Sequence, residues 1–138
     1  MKTKLLYFVV VFSISIFNTV YCQEGIVDPT FNTYDDGLLG DGFDSTVRTV
    51  SLQSDGNLIV GGDFLNFNGA VTPKLCRLLP DGSKDPSFIL GTGFTGNVYC
   101  TLLQPDGKII VGGAFTSFNG SAANRLIRLN PNGSRDAS

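Results

Sequence analysis

Asp35, Asp36, Asp41 and Asp44 fall within ten residues of one another. Carboxylates and backbone carbonyls in such a segment are the oxygen ligands that Ca²⁺ takes. The alternation of an EF-hand loop is missing and no Glu closes the segment. The four acids are therefore Ca²⁺ candidates beside a simpler reading, a solvated surface loop. Arg77 and Arg128, which stand at matched positions, could bind an anion. They could equally cover apolar surface with their stems or pair with the matched acids Asp85 and Asp136. Gly61-Gly62-Asp63-Phe64 has the letters of a nucleotide-cyclase signature. Its sister Gly112-Gly113-Ala114-Phe115 replaces the acid with Ala, which makes the position an ordinary strand residue.

No His occurs among the 138 residues. The commonest general base and the commonest metal ligand are missing, and a Ser-His-Asp or Cys-His site is excluded within this chain. Nothing supplies an acid, a base and a nucleophile together. The expectation is a non-enzymatic protein with no catalytic residues and no cofactor. Cys76 and Cys100 read as small apolar strand residues, because Ile127 and Thr49 stand at their equivalent positions. Asp55-Gly56, Asp81-Gly82, Asp106-Gly107 and Asn132-Gly133 read as turns. Asp and Asn bond their own backbone there, and Gly supplies a positive φ. Asn119-Gly120-Ser121 and Asn132-Gly133-Ser134 fit the N-glycosylation pattern, but both Asn-Gly pairs already have a turn role.

A repeat must position all of these residues. Shifted by 51 residues the chain overlays itself, with 23 identities in the 46 positions from Gly42 to Ser87 and no gap. Within one copy, Val47 to Gln53 is a β-rich run, Asp55-Gly56 turns the chain, and Leu58 to Val60 begins a second run. Lys74 to Leu79 is a third, ended by Pro80-Asp81-Gly82. A short fourth run is expected around Ser87 to Leu90. Phe67 to Pro73 reads as a loop. Four short antiparallel strands in about 50 residues make one blade of a β-propeller. Runs such as Leu58-Ile59-Val60 are apolar on both faces, as strands sandwiched between neighbouring blades should be. The fold class is all-β, a partial propeller of about two four-stranded blades. The first repeat covers 47–90 and the second 91–138, where it stops inside its fourth strand.

The ordered motifs Gly-Phe, Leu-Gln-Pro-Asp-Gly-Lys-Ile, Val-Gly-Gly-x-Phe, Phe-Asn-Gly, Arg-Leu and Asp-Pro-Ser-Phe resemble the delta-60-type β-propeller repeat. The resemblance covers roughly residues 26–138. It implies tandem repeats in large, exported, mostly bacterial proteins, and it brings no catalytic residues.

The composition agrees with export and with a folded chain. Lys2 and Lys4 precede an almost wholly apolar stretch from Leu5 to Phe17, and a polar stretch opens at Gln23. That layout is a secretory signal peptide, 1–22, followed by a 23–46 lead-in that carries the acidic loop. The apolar run is shorter than the roughly 20 residues of a spanning helix, so no stable membrane span is expected. Cleavage after Cys22 is the first reading and lipidation of Cys22 the alternative. Without the leader the chain has 8 basic and 12 acidic side chains. With a pI near 4.8 it has no basic nucleic-acid footprint. With 42% hydrophobic and 16% charged residues it is too apolar for a disordered chain.

The expected role is a secreted or cell-surface scaffold or binding surface, with further propeller repeats of the same or an identical chain as partners and a protein or glycan as ligand. The alternative is a small oligomeric propeller lectin or adhesin. Two blades and a broken third Asp-Pro-Ser-Phe motif lead us to expect a piece of a larger protein. Mass spectrometry of material secreted by the native host should give an N-terminus at or near Gln23. An intact Met1 in soluble cytoplasmic protein would refute export.

Overall fold

The computed structural model describes residues 30–33 and 41–138. The leader and most of the 23–46 lead-in, including Cys22, Asp35 and Asp36, lie outside the described residues. Within them the chain is all-β and carries no helix.

The first repeat contributes β1 (Val47–Leu52), β2 (Leu58–Gly62), β3 (Asn66–Phe67), β4 (Ala70–Val71) and β5 (Leu75–Leu78). The second contributes β6 (Val98–Leu103), β7 (Ile109–Gly113), β8 (Ser117–Phe118), β9 (Ser121–Ala122) and β10 (Leu126–Leu129). Each repeat folds as an antiparallel three-stranded sheet, ordered β1-β2-β5 and β6-β7-β10. The registers are the same: Leu52 faces Leu58 as Leu103 faces Ile109, and Ile59 faces Arg77 as Ile110 faces Arg128.

The turn residues explain the hairpins. Gly56 and Gly107 take φ of +86° and +80°, and the Asp before each accepts the backbone N–H two residues on. The segment 67–73, read from sequence as a loop, is instead largely a second hairpin. Asn68-Gly69 and Asn119-Gly120 both have positive φ at their two positions, the geometry of a two-residue type I′ turn joining β3 to β4 and β8 to β9. Phe43 bridges to Phe67, and Phe94 to Phe118. These contacts gather Phe43, Phe64 and Phe67 at centroid spacings of 4.3 and 4.5 Å, and Phe94, Phe115 and Phe118 at 4.6 and 4.8 Å. Much of the high Phe count thus serves one aromatic triad per repeat.

The expected fourth strand at Ser87 to Leu90 does not form a ladder. Only Lys84 bridges to Leu78, and only Arg135 to Leu129. Pro86 has no N–H to donate, and the Asp85 carboxylate takes the Ser87 N–H at 2.8 Å. The chain therefore turns away from its own sheet. It crosses to the next one, where the Ile89 N–H donates to the Asn132 carbonyl at 2.9 Å.

The two sheets share a core. Ile59 and Leu75 of the first sheet join Val98, Ile109, Val111, Ile127, Leu129 and the second aromatic triad in one buried cluster. Val60, Cys76, Leu78, Phe64 and Phe67 form a separate cluster on the opposite side of the first sheet. Neighbouring residues Ile59 and Val60 thus serve different faces, as strand alternation requires.

Close backbone approach sets the second strand of each sheet. A Cβ on Gly62 would lie 2.1 Å from the Thr46 carbonyl oxygen, and one on Gly113 the same distance from that of Asn97. Those carbonyls accept the N–H groups of Asp63 and Ala114, beside a bulge at Val47/Thr49 and Val98/Cys100. Gly113→Ala must push two backbones apart and should destabilise the protein by ~2 kcal/mol or more. Gly120→Ala, strained only by its positive φ in open space, should cost ~1 kcal/mol. Urea unfolding of both variants checks the order, and a more damaging Gly120→Ala would contradict it.

Candidate functional site: the clamp between the sheets

A polar cluster lies where the first repeat hands over to the second. Arg77 projects from β5, and its Nε donates to Asp85 at 2.6 Å. Its Nη2 donates to the Ser87 hydroxyl at 3.0 Å, and its Nη1 reaches the Pro131 carbonyl of the second repeat at 2.8 Å. The guanidinium carbon stands 5.0 Å from the centroid of the Phe88 ring. Phe88 in turn packs against Gly133, where an added Cβ would lie 3.2 Å from both the ring and the Ile89 carbonyl. Arg128 repeats the inner half of this clamp: its Nε donates to Asp136 and its Nη2 to the Ser138 hydroxyl. Lys108 adds a 3.0 Å contact to Asp136.

The turn residues expected from sequence sit around this clamp. Asp81 and Asn132 accept the N–H of Ser83 and Ser134 as Asp55 and Asp106 accept those of Asn57 and Lys108. Gly82 lies against Phe31 and Asn32 of the lead-in, and Gly133 against Phe88 and Ile89 of the first repeat. The Asn32 N–H donates to the Asp81 carbonyl at 2.8 Å, just as Ile89 does to Asn132.

The acidic candidates do not come together as ligands among the described residues, where no group of three metal-binding side chains is found. Asp44 accepts the N–H groups of Leu65 and Asn66 at 2.8 and 3.0 Å, and the Asn66 side-chain amide at 2.8 Å. Thr95 does the same work in the second repeat, taking the N–H of Ser117 at 3.1 Å. Asp44, whose place Thr95 takes in the second repeat, thus anchors a turn. Asp41 lines a shallow groove with Phe67, Asn68 and Lys84. Asp63 is held by a bidentate pair with Arg48, both contacts 2.6 Å, so the cyclase-like tetrapeptide is a strand end. Cys76 is buried and free, and burial pushes its thiol up to about 12. Cys100 is free and exposed, and lies on β6 as a strand residue.

Sequence reasoning missed several positioning groups. The Asn68 carboxamide oxygen accepts the Gly42 N–H at 2.6 Å, and that of Asn119 accepts the Gly93 N–H at 3.1 Å. Their recurrence beside Gly-Phe was the available signal. Thr49, Ser51 and Thr101 also meet between the sheets, with Thr101 Oγ1 3.0 Å from Thr49 Oγ1 and 2.7 Å from Ser51 Oγ. Those residues are not matched in type by the repeat, so no pattern announced them.

The repeated architecture agrees with comparison to known families. A family model described as a domain of unknown function (DUF5122) beta-propeller matches residues 53–88 and 104–138, together just over half of the chain. The chain belongs to this family. Each matched stretch of the DUF5122 beta-propeller runs from the Gln before the Asp-Gly hairpin to the clamp, and the two lie 51 residues apart. No curated protein matches the chain, and no solved structure does.

The clamp's chemistry is electrostatic fastening. Burial alone would raise the Asp85 pKa, but hydrogen bonds from Ser87 and Arg77 outweigh it and hold the carboxyl below its usual value. The Ser138 N–H, then Lys108 and Arg128, hold Asp136 well below the carboxylate range. Amide donors from Asn66 and Leu65 lower Asp44, and Arg48 lowers Asp63. A carboxyl with a depressed folded-state pKa contributes stability above its unfolded value, near 4, and that contribution is lost as pH falls through the folded value. With no His to titrate, the unfolding midpoint should be nearly level from about pH 5 to 8 and drop below about pH 4. Asp85→Asn should lower the midpoint at pH 7 and make the acid drop shallower. A midpoint that rises on acidification would overturn this account.

Proposed function

We propose that this chain is an exported, non-enzymatic β-propeller repeat protein of the delta-60 type that works as a scaffold or binding surface. The observation that carries the reading is how the repeat uses its polar side chains. Asp44, Asp81, Asp85, Asp136, Arg77 and Arg128 are all engaged in anchoring turns or fastening one sheet to the next. Such a frame presents loops and ribbon tips rather than a reacting centre, and Leu65 and Val71 project from the first ribbon as exposed apolar side chains. Export rests on the leader-like start and on the resemblance to exported repeats. Immunolabelling of unpermeabilised host cells and their medium should find the chain outside the membrane, and purified protein should give no signal on a glycan array. Specific array binding would replace the scaffold reading with a small propeller lectin. Retention inside the cell would remove the export half of the reading.

A further inference from the structure

The two repeats share no residue type across 70–73 and 121–124, which read Ala-Val-Thr-Pro and Ser-Ala-Ala-Asn. Yet Phe67-Asn68-Gly69 before this stretch and Leu75 after it both recur. In the first repeat Val71, Thr72 and Pro73 form one wall of a cavity of about 440 Å³. The opposite wall is the connection 84–91, which leaves β5 at Lys84 and crosses to the second sheet. The volume falls within the roughly 300–1,000 Å³ of small-molecule sites. Leu75, Phe88 and Leu90 line the cavity from the core that the two sheets share. Val71 and Ile89, also on the lining, are 75% and 65% exposed. Pro73 makes its wall rigid, because it packs on Gly93 so closely that an added Cβ there would lie 2.5 Å from Pro73 Cγ.

The lining carries two cations. Arg77 is paired with Asp85 at 2.6 Å. Lys84 makes no ion pair among the described residues. Its Nζ donates to the Val71 carbonyl at 2.8 Å and to the Thr72 hydroxyl at 3.0 Å. An ammonium has three N–H donors, so one is left over. The Thr72 hydroxyl donates in turn to the Ala70 carbonyl at 2.9 Å, and Thr72 is buried. The charge is thus held on a fixed seat beside an apolar cavity. The second repeat has Ala123 in place of Thr72 and lacks that hydroxyl.

The ligand's chemistry follows from this layout. Apolar walls take a hydrocarbon, and a fixed ammonium with a spare donor takes a carboxylate at one end of it. A peptide would bring backbone amides along its whole length. The cavity has little to satisfy them, because β5 is buried at Leu75 and Cys76 and the Arg77–Asp85 pair is already made. We propose that this cavity binds a small amphiphilic carboxylate, with the carboxylate on Lys84 Nζ and the tail against Val71, Phe88, Ile89 and Leu90. The inference goes beyond the scaffold reading and does not depend on it.

The test titrates the full chain with octanoate, followed by calorimetry and by the methyl resonances of Val, Leu and Ile. Binding should saturate and shift the methyls of Val71, Ile89 and Leu90, leaving Val50 and Leu102 unmoved. Octan-1-ol, with the same tail and no charge, should bind about tenfold or more weakly. Lys84→Gln should weaken octanoate by a similar factor, while Lys84→Arg should retain it. Arg135 already occupies the equivalent position and donates to the Ala122 carbonyl at 3.0 Å, so Arg fits this frame. Ile89→Glu places a like charge beside the exposed lining and should abolish binding, whereas Leu65→Glu, on the same ribbon but off the cavity, should leave it unchanged. Four results would each overturn the proposal: no saturable binding to the wild type, octan-1-ol as tight as octanoate, an unaffected Ile89→Glu variant, or shifts spread over methyls away from the cavity.

Discussion

Val98 occupies the space that any side chain at position 61 would need. That substitution of a neighbour's side chain for an absent one is the constraint on which the structure rests. A three-stranded sheet of four to six residues per strand buries little by itself. Here its central strand is apolar on successive residues, with Ile59 directed to one cluster and Val60 to the other. Such a sheet needs cover on both faces. Glycine at the centre of the trailing face lets the next sheet approach closely enough to provide it. The glycine after it, Gly62, lets the strand pass the Thr46 carbonyl without a clash. The doublet therefore does two separate jobs, one between sheets and one within a sheet.

The polar residues follow from the same constraint. Sheets that stack must also be joined, and the joining segment runs over polar backbone that needs partners. Arg77 meets that need with its five donors: it binds Asp85 and Ser87 of the connection and the Pro131 carbonyl beyond it. A Lys could hold one of these acceptors but lacks the planar fork that addresses several. The clamp is itself anchored by an apolar contact, because Phe88 lies between the guanidinium and the turn at Gly133. Fastening and burial are thus coupled at one point, and the exposed ribbons are left outside it.

The short-range features were legible before any coordinates. Asp-Gly pairs between apolar runs gave the hairpins, and the acids of the turns bond the amides that turn chemistry assigns to them. Two misreadings share one cause. The segment 67–73 is expected as a loop, although its Asn68-Gly69 turn, like Asn119-Gly120, closes a short ribbon whose strands are two residues long. So short a run has no detectable alternation. Ser87 to Leu90, expected as a fourth strand, is an apolar stretch whose Phe88 and Leu90 are buried by the neighbouring sheet rather than by strand pairing in their own. Hydropathy reports burial and does not say which element provides the cover.

The spacing of residues by itself determined the repeat and the hairpins, because each depends on groups within a few residues or on a motif written twice; it offered the pairing of Arg77 with Asp85 only as one reading among several. Tertiary structure alone decided what lies between the repeats. Thr49 and Thr101 are 52 residues apart and meet through stacking of sheets, and neither belongs to a motif. Leu75 and Leu126 are the same residue in the same motif, yet one is covered and the other bare. No local pattern can separate them. The difference is set by which face of which sheet has a neighbour, and that is a property of the packed assembly rather than of either repeat.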